Sequence, residues 1–217
     1  MNLKNTVPST ELLHLIDTEW KKLTQVFEDI NSKIPNRQMV RTELSFHDGV
    51  KLLGLLAFIL KEDPAAIIEI GVWKGKSLAL QQRLSQPRQL LIAIDPLELQ
   101  GQKHDFKFFH ETIFPMAIIV PEYSEIAINE VRRIGNPCKL LHIDGGHKKE
   151  NVVLDFLNYG PLVKRGGFIV FDDYSDHEYS PEVKIAIDMM DAHGFFSDYE
   201  TLGPIWGFDN SFVLRKN

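Results

Sequence analysis

The chain has a single cysteine, Cys138, in 217 residues, so no internal disulfide framework can form and the composition suits a reducing compartment. It also lacks a long apolar run. The longest, Leu52 to Leu60, is interrupted by Gly54 and is less than half of the roughly 20 residues that a bilayer-spanning helix needs. The start Met1-Asn2-Leu3-Lys4 carries no apolar stretch of the kind found in a secretory leader. Basic charge is in deficit, since 24 Lys+Arg stand against 30 Asp+Glu for a net −6. The short pairs Arg132-Arg133 and Lys148-Lys149 read as solvated helix faces and not as a nucleic-acid footprint. No repeat or low-complexity linker is present. These absences leave a cytoplasmic globular domain with neither a membrane nor a nucleic-acid partner as the expectation.

Five short β-rich runs recur along the chain: Ala66–Ile70, Leu90–Ile94, Met116–Val120, Lys139–Ile143 and Gly167–Phe171. Their last residues are 24, 26, 23 and 28 positions apart, which leaves room for one helix per gap and so predicts right-handed βαβ units. The runs are continuously apolar, as in strands covered on both faces. Helices are expected over Leu78–Leu84, Glu122–Ile134, Glu150–Val163 and Pro181–His193. The second of these would turn Ile126, Val131 and Ile134 inward. The third would turn Val153, Leu154, Leu157 and Leu162 inward and stop at Lys164-Arg165-Gly166-Gly167. Tyr199–Leu202 and Ser211–Leu214 read as a closing antiparallel pair, because their connection is too short for a helical crossover. Residues 9–31 and 47–61 read as amphipathic helices joined by a loop with Pro35. The fold expected is α/β: a Rossmann-like three-layer sandwich around a mostly parallel seven-stranded sheet with an antiparallel C-terminal strand pair. One domain spans 1–217, with a helical N-terminal cap over 1–62 and a ligand-binding core over 63–217. The amphipathic N-terminal helix also offers a surface for a homodimer or higher homo-oligomer.

The first run leads into Glu69-Ile70-Gly71-Val72-Trp73-Lys74-Gly75-Lys76-Ser77, a strand, a glycine turn and a helix start. That arrangement suits an anionic group, because glycine admits close backbone approach and the first helical N–H groups point outward. Gly75-Lys76-Ser77 resembles the end of a triphosphate loop, but only three residues separate Gly71 from Gly75 where that loop needs four. Trp73 likewise stands where G-x-G-x-x-G needs its second glycine.

Ligands of such sheets bind beyond the carboxyl ends of the strands. Asp95 ends the second run, 24 residues after Gly71. It can accept both hydroxyls of a ribose, or it can simply open a turn before Pro96. Beyond the third run, Tyr123 and Ser124 line a possible base pocket or cap the next helix. The fourth ends in His142-Ile143-Asp144-Gly145-Gly146-His147 and the fifth in Phe171-Asp172-Asp173-Tyr174. Asp144, Asp172 and Asp173 thus converge, and clustered carboxylates repel unless protons or a cation neutralise them. Hard oxygen donors suit Mg²⁺, or Ca²⁺ or Mn²⁺ in its place. Successive strand residues face opposite ways, so both Asp172 and Asp173 can serve only where the chain is already turning. His142 lies inside a strand and reads as a satisfied core histidine. Trp73, Phe106, Phe108 and Phe109 read as packing.

Taken together, these motifs resemble the class I S-adenosylmethionine-dependent methyltransferases, and within them the macrocin O-methyltransferase and cephalosporin-hydroxylase group, with catechol O-methyltransferase more distant. The resemblance runs from about residue 45 to the C-terminus. It implies that Glu69, Gly71 and Gly75 shape the methionine pocket, with Val72 and Trp73 along the same turn, and that Ser77 holds the methionine carboxylate. It also implies Asp95 for the ribose, Tyr123 and Ser124 for the adenine side with Asp144 bordering the cofactor, and Asp144, Asp172 and Asp173 as metal ligands. The expected activity is Mg²⁺-dependent O-methylation of a small hydroxylated acceptor (a sugar, a macrolide-like molecule or a phenol). His147, with an ordinary pKa of about 6.5, is the candidate general base, or else a cap or a support of the metal shell, and Lys148 is the second candidate if desolvated. The acceptor is expected to meet the N-terminal helices and loops at 34–46, 96–110 and 174–180, with Arg41, Lys103, His104 and His177 nearby. Two rival readings are a non-catalytic cofactor-binding subunit and a nucleotide triphosphatase using Gly75-Lys76-Ser77.

Overall fold

The computed structural model describes residues 48–135, 137–204 and 210–217, together with 10, 14, 18 and 19. These last four are helical. The rest of the expected helix 9–31, the loop with Pro35, Arg41 and residues 205–209 lie outside the described residues.

The elements run in the order Asp48–Ile59 (α1), Ala66–Ile70 (β1), Lys76–Leu84 (α2), Leu91–Ile94 (β2), Gln102–Thr112 (α3), Ile118–Val120 (β3) and Ser124–Ile134 (α4). They continue through Cys138–Ile143 (β4), Lys149–Tyr159 (α5), a 3-10 turn at Gly160–Leu162, Val163–Phe171 (β5), Pro181–Ala192 (α6), Tyr199–Pro204 (β6) and Phe212–Lys216 (β7). The seven strands lie in the order β3-β2-β1-β4-β5-β7-β6. The first five are parallel, and β7 runs antiparallel to both β5 and β6. The chain therefore has the expected Rossmann-like α/β architecture, with the order reversing at β1, where open sheets of this kind form their crevice.

Strand residues alternate between two cores. Ile67, Leu140, Phe168 and Val170 join Leu52, Leu56, Leu80 and Phe109 on one face. Ile68, Leu141, Ile169 and Phe171 join Ile128, Phe156, Ile187 and Met190 on the other. Both strand faces are thus dry, which is why the sequence runs are unbroken rather than alternating. Among the described residues no helix is long and apolar enough to cross a membrane.

Several expected details differ. The segment 96–110 is not all loop, because α3 occupies most of it and buries Phe106 and Phe109. Helix α5 stops at Tyr159, and Lys164 to Gly167 belong to β5 instead of ending a helix. Its inward face is Val152, Asp155, Phe156 and Tyr159, whereas Leu154 and Leu157 are exposed. On α4 the buried residues are Ala127, Ile128 and Val131, with Ile126 exposed. Three consecutive apolar residues in α5, Val152 to Leu154, give a 3.6-residue period no unique phase. Docking on the sheet chose the stripe that carries Phe156 and Tyr159.

At the amino end of the sheet, Lys139 is wholly buried. Its ammonium donates to Leu60 O at 2.9 Å, Asp63 O at 2.7 Å and Gln89 Oε1 at 2.6 Å. All three of its protons are satisfied, and they tie the segment after α1 to β4. Burial pulls this amine down to about 8, against the opposing pull of Asp63.

Candidate functional site

The sheet itself aligns the site. The residue that follows each central strand continues the ladder by one hydrogen bond. Gly71 N donates to Ile94 O at 2.9 Å, Asp95 N to Val120 O at 3.3 Å, Asp144 N to Ile70 O at 2.9 Å and Asp172 N to Ile143 O at 3.1 Å. The four chemistry-bearing positions therefore stand along one edge. The first and third touch: a Cβ on Gly71, whose φ is +80°, would lie 1.8 Å from the carbonyl oxygen of Asp144. Only glycine fits there. Gly75, φ +85°, opens α2, and a Cβ on it would meet Phe114 at 2.7 Å.

Asp95 fastens this turn. Its Oδ2 accepts from Val72 N at 3.1 Å and Trp73 N at 2.9 Å, and its Oδ1 from Leu97 N at 2.7 Å and Gln102 Nε2 at 2.9 Å. Those four bonds occupy the four lone-pair sites of a carboxylate. Asp95 is thus neither an idle turn opener nor an open receptor. Gln102 also donates to Trp73 O at 3.0 Å. Trp73 is held at φ +44°, and Lys74 beside it is buried, 3.1 Å from Asp105 and 4.7 Å from the Trp73 ring centre.

Glu69 is fully buried behind the turn. It accepts from Ser77 Oγ and from Gln81 Nε2, the latter at 2.6 Å. The one hydroxyl proton of Ser77 is therefore spent on Glu69, and the anion-facing donors are the backbone N–H groups at the start of α2. Across the β1–β4 register Glu69 pairs with His142, whose Nδ1 lies 3.7 Å from Glu69 Oε2.

His142 corrects the expectation of a satisfied core histidine. It is 2% exposed, and among the described residues neither ring nitrogen has a hydrogen-bond partner. Burial alone would lower its pKa, but the Glu69 carboxylate, helped by Asp144 and Asp172, raises it to about 9.

The three carboxylates divide around Asp144. One group joins His142, Asp144 and Asp172, the other Asp144, His147 and Asp173, with the potential ligand atoms of each within 4.8 Å of one another. The chain turns between Asp172 and Asp173, and Asp173 takes φ +61°. Asp172 faces inward and accepts from Ser211 Oγ at 3.4 Å. Asp173 faces outward and accepts from Ser180 Oγ at 2.8 Å and Asn210 Nδ2 at 3.2 Å. Burial, followed by the charge of Asp172, pushes Asp144 up to about 6 against the pull of His147. Burial also raises Asp172.

His147 stands at the rim with Nε2 3.3 Å from Asp173 Oδ2 and 3.7 Å from Asp144 Oδ1. Its Nδ1 lies 3.0 Å from Ser180 Oγ. Since Ser180 gives its own proton to Asp173, it can accept only from Nδ1–H, which leaves the Nε2 lone pair facing the carboxylates in the neutral ring. The Asp144 carboxylate 3.7 Å away, with the charges of Asp173 and Asp172, raises the pKa of His147 above its ordinary value despite partial burial. Lys148 is exposed at the start of α5, without the desolvation that a basic amine requires.

Tyr123 and Ser124 begin α4 across the crevice. Tyr123 OH donates to Glu98 Oε2 at 2.8 Å, which joins the loops after β2 and β3, and Ser124 O accepts from Tyr159 OH at 2.7 Å. Ser180, Gln81, Gln102 and Lys74 had no sequence signal, because each meets its partner through tertiary contact. His142 did have one, two residues before Asp144.

A methyltransferase-domain family matches residues 68–174, which runs from within β1 to just past the carboxylates after β5. The uncharacterized protein R132 of Acanthamoeba polyphaga mimivirus is 34% identical over 195 residues, covering 79% of this chain and 88% of that protein. Among solved structures, the O-methyltransferase from Bacillus cereus in complex with S-adenosylhomocysteine superposes with TM-score 0.59 at 12% identity, over 90% of this chain and 98% of that one. The O-methyltransferase TomG from Streptomyces achromogenes, in complex with S-adenosylmethionine, gives 0.57 at 16% identity, over 91% and 98%. CalS11, a TDP-rhamnose 3'-O-methyltransferase of calicheamicin biosynthesis, gives 0.61 at 16%, over 90% and 93%.

Proposed function

The chain belongs to the class I S-adenosylmethionine-dependent methyltransferases, and from that premise we propose that it methylates a hydroxyl oxygen of a small organic acceptor with the help of a divalent cation. The observation that carries this reading is the meeting, on one sheet edge, of the Gly71–Gly75 turn with His147 held by Ser180 beside Asp144 and Asp173.

When bound, S-adenosylmethionine supplies a methyl group on a sulfonium sulfur, and a cation among Asp144, Asp172 and Asp173 supplies positive charge that lowers the pKa of an acceptor hydroxyl. Asp144, with Asp172 on its inner side and Asp173 on its outer side, offers such an ion carboxylate oxygens, and burial and mutual repulsion raise the pKa of Asp144 and Asp172. Mg²⁺ is the reading taken for it, with Ca²⁺ or Mn²⁺ in its place.

The residues of the chain do the rest. The glycine turn and the first amides of α2 meet the methionine carboxylate. Glu69, clamped by Ser77 and Gln81, fixes the floor of that pocket. Asp95 takes the ribose hydroxyls by exchanging the bond from Gln102, the one side-chain donor among its four. Tyr123 and Ser124 flank the adenine. His147 Nε2 would accept the proton of the acceptor hydroxyl whose oxygen takes the methyl group. Ser180 keeps that nitrogen free. Exposed Tyr179, one residue before Ser180, gives the rim an aromatic surface for the acceptor.

Titration calorimetry with S-adenosylhomocysteine and S-adenosylmethionine, with and without Mg²⁺, tests the reading. Binding in the micromolar range is expected, followed by methylated product from a panel of sugars, macrolides and phenols. No binding under either condition sinks it. Binding without transfer to any acceptor replaces it with a non-catalytic cofactor-binding subunit.

A further inference from the structure

The inner half of the carboxylate cluster contains a group that an all-oxygen cation site does not use. His142 is 2% exposed, yet among the described residues neither ring nitrogen makes a hydrogen bond, and Glu69 Oε2 stands 3.7 Å from Nδ1. An imidazole so placed has lost water without gaining a hydrogen bond in return. One ring nitrogen lies with an oxygen each of Asp144 and Asp172 in a set whose members are within 4.8 Å of one another. Bonds of about 2.0–2.2 Å to one ion put ligand atoms roughly 3 to 4.4 Å apart, so the set needs only a small contraction.

Glu69 completes the arrangement. Its Oε2 lies 3.7 Å from Nδ1, and Ser77 and Gln81 hold that carboxylate in place. A carboxylate on one imidazole nitrogen orients the ring and strengthens the other nitrogen as a ligand. Nε2 is then the lone pair available to an ion between Asp144 and Asp172.

We infer that the cation at this edge takes a nitrogen ligand: His142, with Asp144 and Asp172, forms a one-imidazole, two-carboxylate set that selects an ion accepting mixed nitrogen and oxygen ligands, Mn²⁺ or Co²⁺, over Mg²⁺. The inference narrows the proposed function by putting His142 in place of Asp173 and a nitrogen-accepting ion in place of Mg²⁺, and it rests on that reading only for the presence of a cation. Imidazole is a poor partner for Mg²⁺, which keeps oxygen ligands and water, and a good one for the later divalent ions. Asp173 and His147 are then left outside the inner set, bridged by Ser180 and facing the acceptor.

The test is pulsed electron paramagnetic resonance on the metal-stripped chain reloaded with Mn²⁺. The wild type should show ¹⁴N coupling to the metal, replaced by ¹⁵N coupling when the protein carries ¹⁵N-histidine. H147Q should keep the coupling, and H142Q should lose it along with at least about tenfold in Mn²⁺ affinity, the lower end of what losing a mere outer-shell partner brings. If H142Q does not fold, ¹⁵N-histidine-labelled H147Q decides, since His142 is then the histidine left in either group. Absence of Mn²⁺ binding, binding with no nitrogen coupling, or coupling lost in H147Q overturns the inference. Calorimetry with S-adenosylhomocysteine on the same protein separates the two readings. Cofactor binding without nitrogen coupling sinks only the metal assignment, and the converse sinks only the methyl-transfer reading.

Discussion

The two ends of the β4 strand bury charge in opposite ways. Near its start, Lys139 has three acceptors for three protons. Near its finish, His142 has no hydrogen-bond partner, and Asp144 and Asp172 are both pushed above their ordinary range. A complete set of partners makes a buried charge a fastener. An incomplete set leaves capacity for a ligand and makes the site a reservoir of unfavourable free energy that binding relieves. One strand thus carries a closed polar network and an open one, six residues or fewer apart, and only the open one points to function.

Three substitutions sharpen that contrast. The largest effect falls on the closed end. Lys139→Ala strands two carbonyls and the Gln89 amide oxygen, so it should cost about 3–5 kcal/mol. That lowers the thermal midpoint by roughly 6–20 °C at 2–4 °C per kcal/mol. Calorimetry on the folded protein should give unchanged S-adenosylhomocysteine affinity, and an equal loss of affinity would break the distinction between the two ends.

Next comes Asp155, 1% exposed, whose Oδ2 has no partner and whose pKa burial raises to about 6. A carboxyl with a raised folded-state pKa binds more protons in the native state. Its favourable contribution is therefore present below about 4 and lost as pH rises through about 6. Asp155→Asn should be neutral near pH 4 and stabilise by up to about 3 kcal/mol above pH 7, read as a melting difference that widens with pH. A constant difference across that range would show that the carboxylate is not strained.

The smallest effect is expected from Ser180→Ala, which removes the acceptor on His147 Nδ1. Methyl transfer should slow about tenfold, or 1.4 kcal/mol, with cofactor affinity unchanged and the pH profile of kcat displaced. Restoration by Ser180→Thr would separate positioning of the imidazole from mere packing, and an unaltered profile would remove Ser180 from the proposed mechanism.

How far the sequence could be read follows the same division. The strands, the glycine turn and the acids after each strand were legible, because burial on both faces writes unbroken apolar runs and the chain must turn where they stop. Asp173 could join Asp172 only at a turn, and its φ of +61° provides one. What stayed hidden was set by distant partners. His142 looked like core because its isolation depends on the geometry of Glu69, 73 residues earlier in the chain. Asp95 was legible as a site residue, yet the four bonds that engage it come from two loops and a helix. The inward face of α5 has no unique phase among Val152, Val153 and Leu154, so the pattern alone does not mark Asp155 as buried.

The contact between Gly71 and the Asp144 carbonyl also bears on how such a protein can change. With 1.8 Å for a methyl group, no replacement at 71 is accommodated by side-chain adjustment alone, since the obstacle is backbone from another strand. A substitution there demands a simultaneous shift at 144–145, and the two effects cannot add. The glycine turn and the acid turn can therefore change only together, whereas an exposed rim residue such as Tyr179 can be exchanged alone.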